Sequence, residues 1–215
     1  MPSPGSSKDR ETIDYVIVDD LAALVWTANL AALELHTPMW RVQSKRGKPA
    51  VAGAPDMVVF DLDPGEPATI VECCEVALLL REVLREDGLE PLPKTSGSKG
   101  LQVYARADAF DSSEATSSYA KDLAQRFERS HPGLVLHRMT KALRPGKVLV
   151  DWSQNSAAKT TVSVYSLRAR PRPTVSTPVT WEEVGACRTP SDLVFTSDDV
   201  LGRVEEMGDL FAALL

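Results

Sequence analysis

The sequence predicts an α/β domain with a mixed, largely antiparallel central sheet, helices packed outside it, and a site in a cleft between strand ends. Three observations carry this expectation. Short apolar runs at 57–60, 101–105 and 148–150 are bounded by turn residues, the pattern of buried strands. The stretches 69–88 and 113–130 repeat apolar residues at helical spacing. No internal repeat and no break in composition marks a boundary, so residues 12–215 read as one domain behind a flexible lead-in at 1–11.

In chain order, Asp20 suits the N-cap of a first helix reaching Leu35. That helix is apolar on most of its circumference and is therefore expected to be buried, and Pro38 stops its continuation. Residues 43–55, with Lys45, Arg46, Lys48, two Gly and two Pro, read as an exposed loop. After the run at 57–60 and a Pro64-Gly65 turn, Thr69 and Glu72 form the two ends of a capping box for a helix that stops at Gly88. A short strand at 89–92 leads to a Gly- and Ser-rich turn and a second strand at 101–105. The helix at 113–130 places Tyr119, Leu123 and Phe127 on one stripe and ends at His131-Pro-Gly133. Strands are expected at 134–137, 147–152 and 160–165, with a basic turn at 138–147, a polar loop at 153–159 and an irregular basic stretch at 167–173. A short helix starting at Thr180 and a last helix at 197–214 complete the chain.

Composition is that of an ordinary globular protein, 43% hydrophobic and 25% charged. No apolar run is long enough for a membrane span, and the N-terminus lacks the apolar core of a signal peptide. Cys73, Cys74 and Cys187 form no disulfide framework and no zinc pattern, which suits a reducing, cytoplasmic location. The net charge of -6 argues against a polyanionic partner, but its distribution reverses that impression. Residues 134–173 hold Arg138, Lys141, Arg144, Lys147, Lys159, Arg168, Arg170 and Arg172 against one acid, Asp151, whereas residues 174–215 hold two basic and eight acidic residues. A local polyanion site on an acidic body is the reading that fits.

The apolar run at 57–60 ends in Asp61-Leu62-Asp63. In a strand, residues two apart share a face, so the two carboxylates stand side by side with Leu62 turned inward. A hard divalent cation with oxygen ligands relieves their repulsion while leaving both ionised. Aspartates at a strand exit also bond nearby backbone amides, so the pair alone suits either role. Asp151 repeats the pattern at the end of another apolar strand. Lys94-Thr-Ser-Gly-Ser-Lys-Gly100 offers backbone amides and ammonium groups to a phosphate, though it lacks the spacing of a Walker A loop and is followed by a strand. Three carboxylates holding two Mg²⁺ or Mn²⁺ ions, with cations to neutralise a triphosphate, would suit phosphoryl transfer.

Six segments resemble a known family in its own order: Leu-Val-Trp-Thr-Ala-Asn-Leu-Ala-Ala-Leu-Glu-Leu-His36, Val-Val-Phe-Asp-Leu-Asp-Pro-Gly65, Lys-Thr-Ser-Gly-Ser-Lys-Gly-Leu101, Met-Thr-Lys-Ala-Leu-Arg144, Gly-Lys-Val-Leu-Val-Asp-Trp-Ser-Gln-Asn155 and Tyr-Ser-Leu-Arg168. The family is the polymerase domain of bacterial ATP-dependent DNA ligase D, of the archaeo-eukaryotic primase superfamily. The resemblance implies a primase-polymerase-like catalytic core that adds NTPs or dNTPs to a primer 3′-hydroxyl at DNA gaps or broken ends during non-homologous end joining. It implies Asp61, Asp63 and Asp151 as ligands of two Mn²⁺ or Mg²⁺ ions, and Ser96, Lys99 and Gly100 at the triphosphate with Arg144 and Arg168. It also implies His36 and Gln154 at the incoming nucleotide, with Lys141 and Lys159 as weaker candidates. A DNA ligase and an end-binding Ku protein are the implied partners, and a monomer is expected.

Two departures accompany the resemblance. The family has a histidine where this chain has Gln102, which can hydrogen-bond a phosphate oxygen but neither carries charge nor passes a proton. The family's usual N-terminal region, with its basic and aromatic DNA contacts, is expected to be absent. Two other readings stand beside the polymerase: a catalytically weak module that grips DNA ends or nucleotides, and a haloacid-dehalogenase-like phosphatase with Asp61 as nucleophile. The phosphatase motif wants Gly-Thr after the second aspartate, where this chain has Pro64-Gly65.

Overall fold

The computed structural model describes residues 2–4, 12–43 and 51–214. Four apolar runs and the segment Leu-Pro-Lys-Thr assemble into one five-stranded sheet: β1 (Met57–Pro64), β2 (Leu92–Thr95), β3 (Leu101–Arg106), β4 (Val135–Leu136) and β5 (Val148–Asp151). Their spatial order is β2-β3-β1-β5-β4, and every pairing is antiparallel except β5 with β4. The sheet is thus mixed and largely antiparallel, as expected. Among the described residues five α-helices accompany it: α1 (Leu21–Asn29), α2 (Ile70–Glu86), α3 (Ser113–Ser130), α4 (Trp181–Ala186) and α5 (Ser197–Met207).

Strand alternation divides the core in two. Val58, Phe60 and Leu62 of β1, with Leu101, Val103 and Ala105 of β3, pack under α2 and α3. The intervening Met57 and Val59 join Tyr104 in a second cluster with Met39, Phe211 and Leu214 on the opposite face. The helices form where their caps stand. Thr69 accepts from Val71 N while Glu72 accepts from Thr69 N at 2.6 Å, the expected capping box. Ser112 caps α3, whose Leu123 and Phe127 are buried with Tyr119 packed against the same core. The three cysteines are free and buried. No helix among the described residues is long and apolar enough to cross a membrane.

Several expectations need correction. The first helix is shorter and exposed: it ends at Asn29, where Ala31 turns the chain at φ 56 and Ala32 N donates back to Thr27 O. Leu21, Leu24, Val25, Trp26 and Leu30 all lie largely open to solvent, because no other described element covers them. Part of the expected loop at 43–55 is a strand, Val51–Pro55, antiparallel to Trp40–Gln43, and 44–50 lie outside the described residues. The strand expected at 89–92 runs instead over Leu92–Thr95, so Lys94 and Thr95 belong to the sheet and not to the turn. The strand expected at 160–165 is only Thr161–Val162, paired with His36–Thr37, and Leu167–Arg168 pairs with Thr174–Val175 where irregular chain was expected. The last helix stops at Met207, because Gly208 takes φ 72, and Phe211 and Leu214 then fold back onto Tyr104 and Met39. Of the lead-in at 1–11, residues 2–4 pair with Thr12–Asp14, and the rest lies outside the described residues.

Candidate active site

Register places four polar residues in line across the sheet. Lys94 of β2 stands opposite Gln102 of β3, Gln102 opposite Asp61 of β1, and Asp61 opposite Asp151 of β5. Directly opposed residues of antiparallel strands project to the same face, here the one turned away from α2 and α3. Asp63 follows Asp61 on that face, with the fully buried Leu62 between them pointing into the core, as the spacing of the motif requires.

Asp61 and Asp63 line a cavity of about 220 Å³ together with Gln102 and Gln154. Ser96, Ser98, Lys99 and Arg168 line the same cavity, as do His36 and Thr160 to Val162. A larger hollow of about 520 Å³ between α3 and the chain after Trp152 is lined mainly by serines and alanines with Glu114 and Lys121, and lacks any such convergence of carboxylates and cations.

The turn at 96–100 is shaped by its own polar groups. Ser96 Oγ accepts from Ser98 N at 3.3 Å and Gly100 N at 3.2 Å. Gly97 adopts φ 65, and a Cβ on Gly100 would lie 2.3 Å from Leu62 O, so glycine alone lets the turn rest on β1. Lys99 Nζ donates to Pro64 O at 3.3 Å, a contact weak enough to yield to an anion. Arg168 is braced from two sides: its Nη1 donates to Ser96 O at 2.8 Å, and its Nε lies 3.3 Å from Glu34. Glu34 also lies 3.0 Å from His36 Nε2. The hydrogen bond to His36, aided by Ala169 N–H, holds the Glu34 carboxyl below the usual range.

Asp61 is electrostatically the most burdened residue of the site. Burial pushes its carboxyl up to about 6, Gln102 Nε2 pulls it back by donating at 3.0 Å, and the neighbouring Asp63 and Asp151 push it further up. Lys94 is fully buried and is pushed down to about 7 by that burial, with the Asp61 charge opposing the shift.

The remaining expected residues are placed differently. Asp151, though opposite Asp61, turns its carboxylate toward its own chain: Oδ1 accepts from Ser153 N and Oγ, and Oδ2 from Gln154 Nε2 at 3.0 Å. Among the described residues no group of three His, Cys, Asp or Glu side chains is arranged to hold a metal ion. Arg144 stands outside the cavity lining, with Nη1 3.6 Å from Asp63 Oδ2. Its backbone lies so close to Gly65 that a Cβ there would sit 2.1 Å from Arg144 O. Lys141 and Lys159 are exposed and do not line the cavity. Gln154 does line it, with a buried Oε1 that lacks a partner and its Nε2 committed to Asp151.

Sequence reasoning missed three residues. Glu34 ties His36 to Arg168, and its only signal was its place two residues before that histidine. Lys94 was read as part of a phosphate-binding turn, and no local signal in Leu92-Pro93-Lys94-Thr95 marks it as buried. Asn155 uses its side chain as a strand would: Val59 N donates to its Oδ1 and its Nδ2 donates to Val59 O, both at 2.8 Å. It thereby seats the turn carrying Gln154 on β1 just where β5 has ended.

Comparisons with known proteins identify the family. The model of the LigD primase-polymerase domain family matches residues 2–211. The structure is similar to that of the polymerase domain of Mycobacterium tuberculosis ligase D in complex with DNA, with a TM-score of 0.90 and 43% identity over all of this chain and 74% of that one. The multifunctional non-homologous end joining DNA repair protein LigD of Mycobacterium tuberculosis H37Rv is 45% identical over 204 residues, 94% of this chain and 26% of that protein. The bifunctional LigD of Bacillus subtilis is 30% identical over 91% of this chain and 30% of that protein. The chain therefore spans about a quarter of the length of the mycobacterial relative and somewhat more of the Bacillus one. The phosphatase alternative finds no support in any of these likenesses. By sequence and fold, the chain belongs to the LigD primase-polymerase domain family.

Proposed function

We propose that this chain is a nucleotidyltransferase that adds NTPs or dNTPs to a primer 3′-hydroxyl at DNA gaps or broken ends, in non-homologous end-joining repair. The observation that carries this reading is the cavity itself, in which Asp61 and Asp63 share the lining with Ser96, Lys99 and Arg168. The carboxylates suit cations and the other three residues a polyphosphate. A triphosphate bridging them meets Lys99, whose present bond to Pro64 O is long, and the guanidinium of Arg168, already aimed by Ser96 O and Glu34. Such preset donors stabilise developing charge without reorganising at the moment of reaction. His36 and Gln154 line the same cavity and are the expected nucleoside contacts, and the unpartnered Gln154 Oε1 is an acceptor suited to a hydroxyl or amino group.

The donor set of Asp61 and Asp63 fits Mg²⁺ or Mn²⁺. It consists of hard carboxylate oxygens, and Asp61 Oδ2 has no hydrogen-bond partner among the described residues. Asp151 is the third expected ligand and would have to release Gln154 Nε2 to serve as one. When bound, two such ions lower the pKa of the primer hydroxyl and neutralise charge on the departing pyrophosphate. The wider partners of this reading are DNA ends, a DNA ligase and an end-binding Ku protein, in a bacterial cytoplasm at the nucleoid, with residues 12–215 acting as one catalytic domain and as a monomer.

A second reading, a catalytically weak module that grips nucleotides or DNA ends, is favoured by one observation, the inward turn of Asp151 onto Ser153 and Gln154. Primer extension on a gapped duplex bearing a 5′-phosphate, with Mn²⁺ and NTPs or dNTPs, separates the two. We expect extension by the native protein and a loss of about a thousandfold in Asp61→Ala and in Asp63→Ala, with unchanged circular dichroism. Binding of the duplex without extension by the native protein gives the field to the scaffold, and extension retained in either variant removes the metal assignment.

A further inference from the structure

We propose that Lys94 is a positioning residue for Asp61, acting through Gln102. This rests on the reading of Asp61 as a cation ligand. The ammonium of Lys94 is enclosed by three acceptors: Gln102 Oε1 at 2.6 Å, Ser176 Oγ at 2.6 Å and Val162 O at 3.0 Å. Val162 O can only accept. Ser176 spends its single hydroxyl hydrogen on Thr95 O at 2.9 Å, so its oxygen must accept as well. All three ammonium hydrogens are thus donated, and the atom of Gln102 that faces Lys94 has to be its oxygen.

The other end of Gln102 is held by the same logic. Asp61 Oδ1 accepts from Gln102 Nε2 at 3.0 Å. An ionised carboxylate cannot donate, so a flipped amide would set oxygen against oxygen at Asp61 and nitrogen against ammonium at Lys94. The two ends therefore enforce one orientation. Its result is an N–H donor fixed on Asp61 Oδ1, on a residue that lines the cavity. Tyr104 and Thr161 wall the amide from the side, with the tyrosine hydroxyl 2.6 Å from Thr161 Oγ1. Lys94 is only 1% exposed and is not among the residues that line the cavity, so it acts through the amide and not on a ligand. Partners of this kind orient a ligating carboxylate, and their loss weakens metal affinity by about ten- to a hundredfold.

The proposal also gives a meaning to Gln102. An amide presents acceptor and donor at one end of a flexible chain, and the donor-only lysine decides which faces the carboxylate. No proton transfer is asked of it.

The test is a double-mutant cycle read by Mn²⁺ affinity, from electron paramagnetic resonance of the free ion, with the full chain and no nucleic acid present. Lys94→Met and Gln102→Leu are each expected to raise the Mn²⁺ Kd about tenfold, and the double variant no more than the weaker-binding single one, because both remove the same oriented N–H. Native-like affinity in Lys94→Met, or effects that multiply to about a hundredfold, overturns the proposal, as does a native protein that binds no Mn²⁺. In primer extension, Lys94→Met is expected to raise the Mn²⁺ concentration needed for half-maximal rate while the rate at saturating Mn²⁺ stays within about twofold of native, a split that general loss of structure does not produce. Should the variants misfold, nitrogen-15 lysine spectra of the native protein at pH 6 decide: a slowly exchanging Lys94 ammonium signal is expected, and its absence overturns the clamp. Mn²⁺ binding without primer extension defeats the polymerase reading and leaves this one standing. Extension with an additive cycle does the reverse.

Discussion

On one face of the central sheet Val58, Phe60 and Leu62 are fully buried under α2 and α3, while on the other Asp61 and Asp63 of the same strand enter a polar cavity. The two faces differ in what they contribute to the free energy. Burying a large apolar side chain stabilises by about 1.5–3 kcal/mol. Withdrawing the Asp61 carboxyl from water raises its pKa to about 6, a cost of about 3 kcal/mol at neutral pH. One residue of the site thus offsets roughly one residue of the core. A period of two lets a single strand do both, because neighbours in sequence never share a face.

The largest expected effect on this contrast is at Phe60. Phe60→Ala empties a site enclosed by α2 and α3, with Tyr119 edge-on at 6.4 Å between ring centroids, and should destabilise by about 3–5 kcal/mol in chemical denaturation. A loss under about 1 kcal/mol would mean that this face is not the chief source of stability.

The adjacent residue should move stability in the opposite direction. The Asp61 pKa is raised on folding, so its favourable contribution is complete below the unfolded value near 3.8 and is lost as pH rises through about 6. Asp61→Asn, studied with a chelator present, should therefore be more stable than the native protein above pH 6, by up to about 3 kcal/mol, with the gap closing toward pH 4. Equal stability at pH 7.5, or a gap that widens in acid, would contradict the desolvation argument. Two neighbouring residues with opposite signs are the sharpest form of the comparison.

Asn155 joins the two regions. Asn155→Ala leaves the N–H and C=O of Val59 unpaired in a buried setting, at a cost of about 2 kcal/mol in thermal or chemical denaturation. It also frees the turn that holds Gln154 and caps on Asp151, so primer extension should fall by more than the folded fraction does. Activity that merely tracks the folded fraction would reduce Asn155 to a structural residue.

Much of this was legible in the sequence, for identifiable reasons. Strand alternation placed Asp61 and Asp63 together with Leu62 inward, and the Thr69–Glu72 capping box set the start of α2, because both depend on near neighbours alone. What failed depends on distant partners. α1 is as apolar as a core helix, yet Leu21 and Val25 are exposed, since hydropathy says that a face can be buried and not that a cover is on hand. Asp151, expected as a third ligand, is set opposite Asp61 by register, and its oxygens are bonded by Ser153 and Gln154 within its own turn. Lys94 was assigned to a turn because a lysine seldom lies in a core. Its three acceptors come from residues 102, 162 and 176, which no local pattern brings together.

The smallest expected effect lies where the apolar and polar halves of the site face meet. Tyr104 packs its ring edge-on against Phe211 at 5.7 Å and directs its hydroxyl to Thr161 Oγ1 at 2.6 Å. Tyr104→Phe keeps the ring and removes one buried hydrogen bond, so a loss of about 1 kcal/mol is expected in chemical denaturation. Thr161→Val should cost a similar amount, and the double variant little more than either, since both remove the same bond and the contact tolerates an apolar pair of that shape. Additive losses would show that each hydroxyl is held separately, Tyr104 then bonding Gln102 Oε1, now 3.4 Å away. The phenol would in that case belong to the polar row and not to the apolar cluster, and the boundary between the two halves would move one residue along β3.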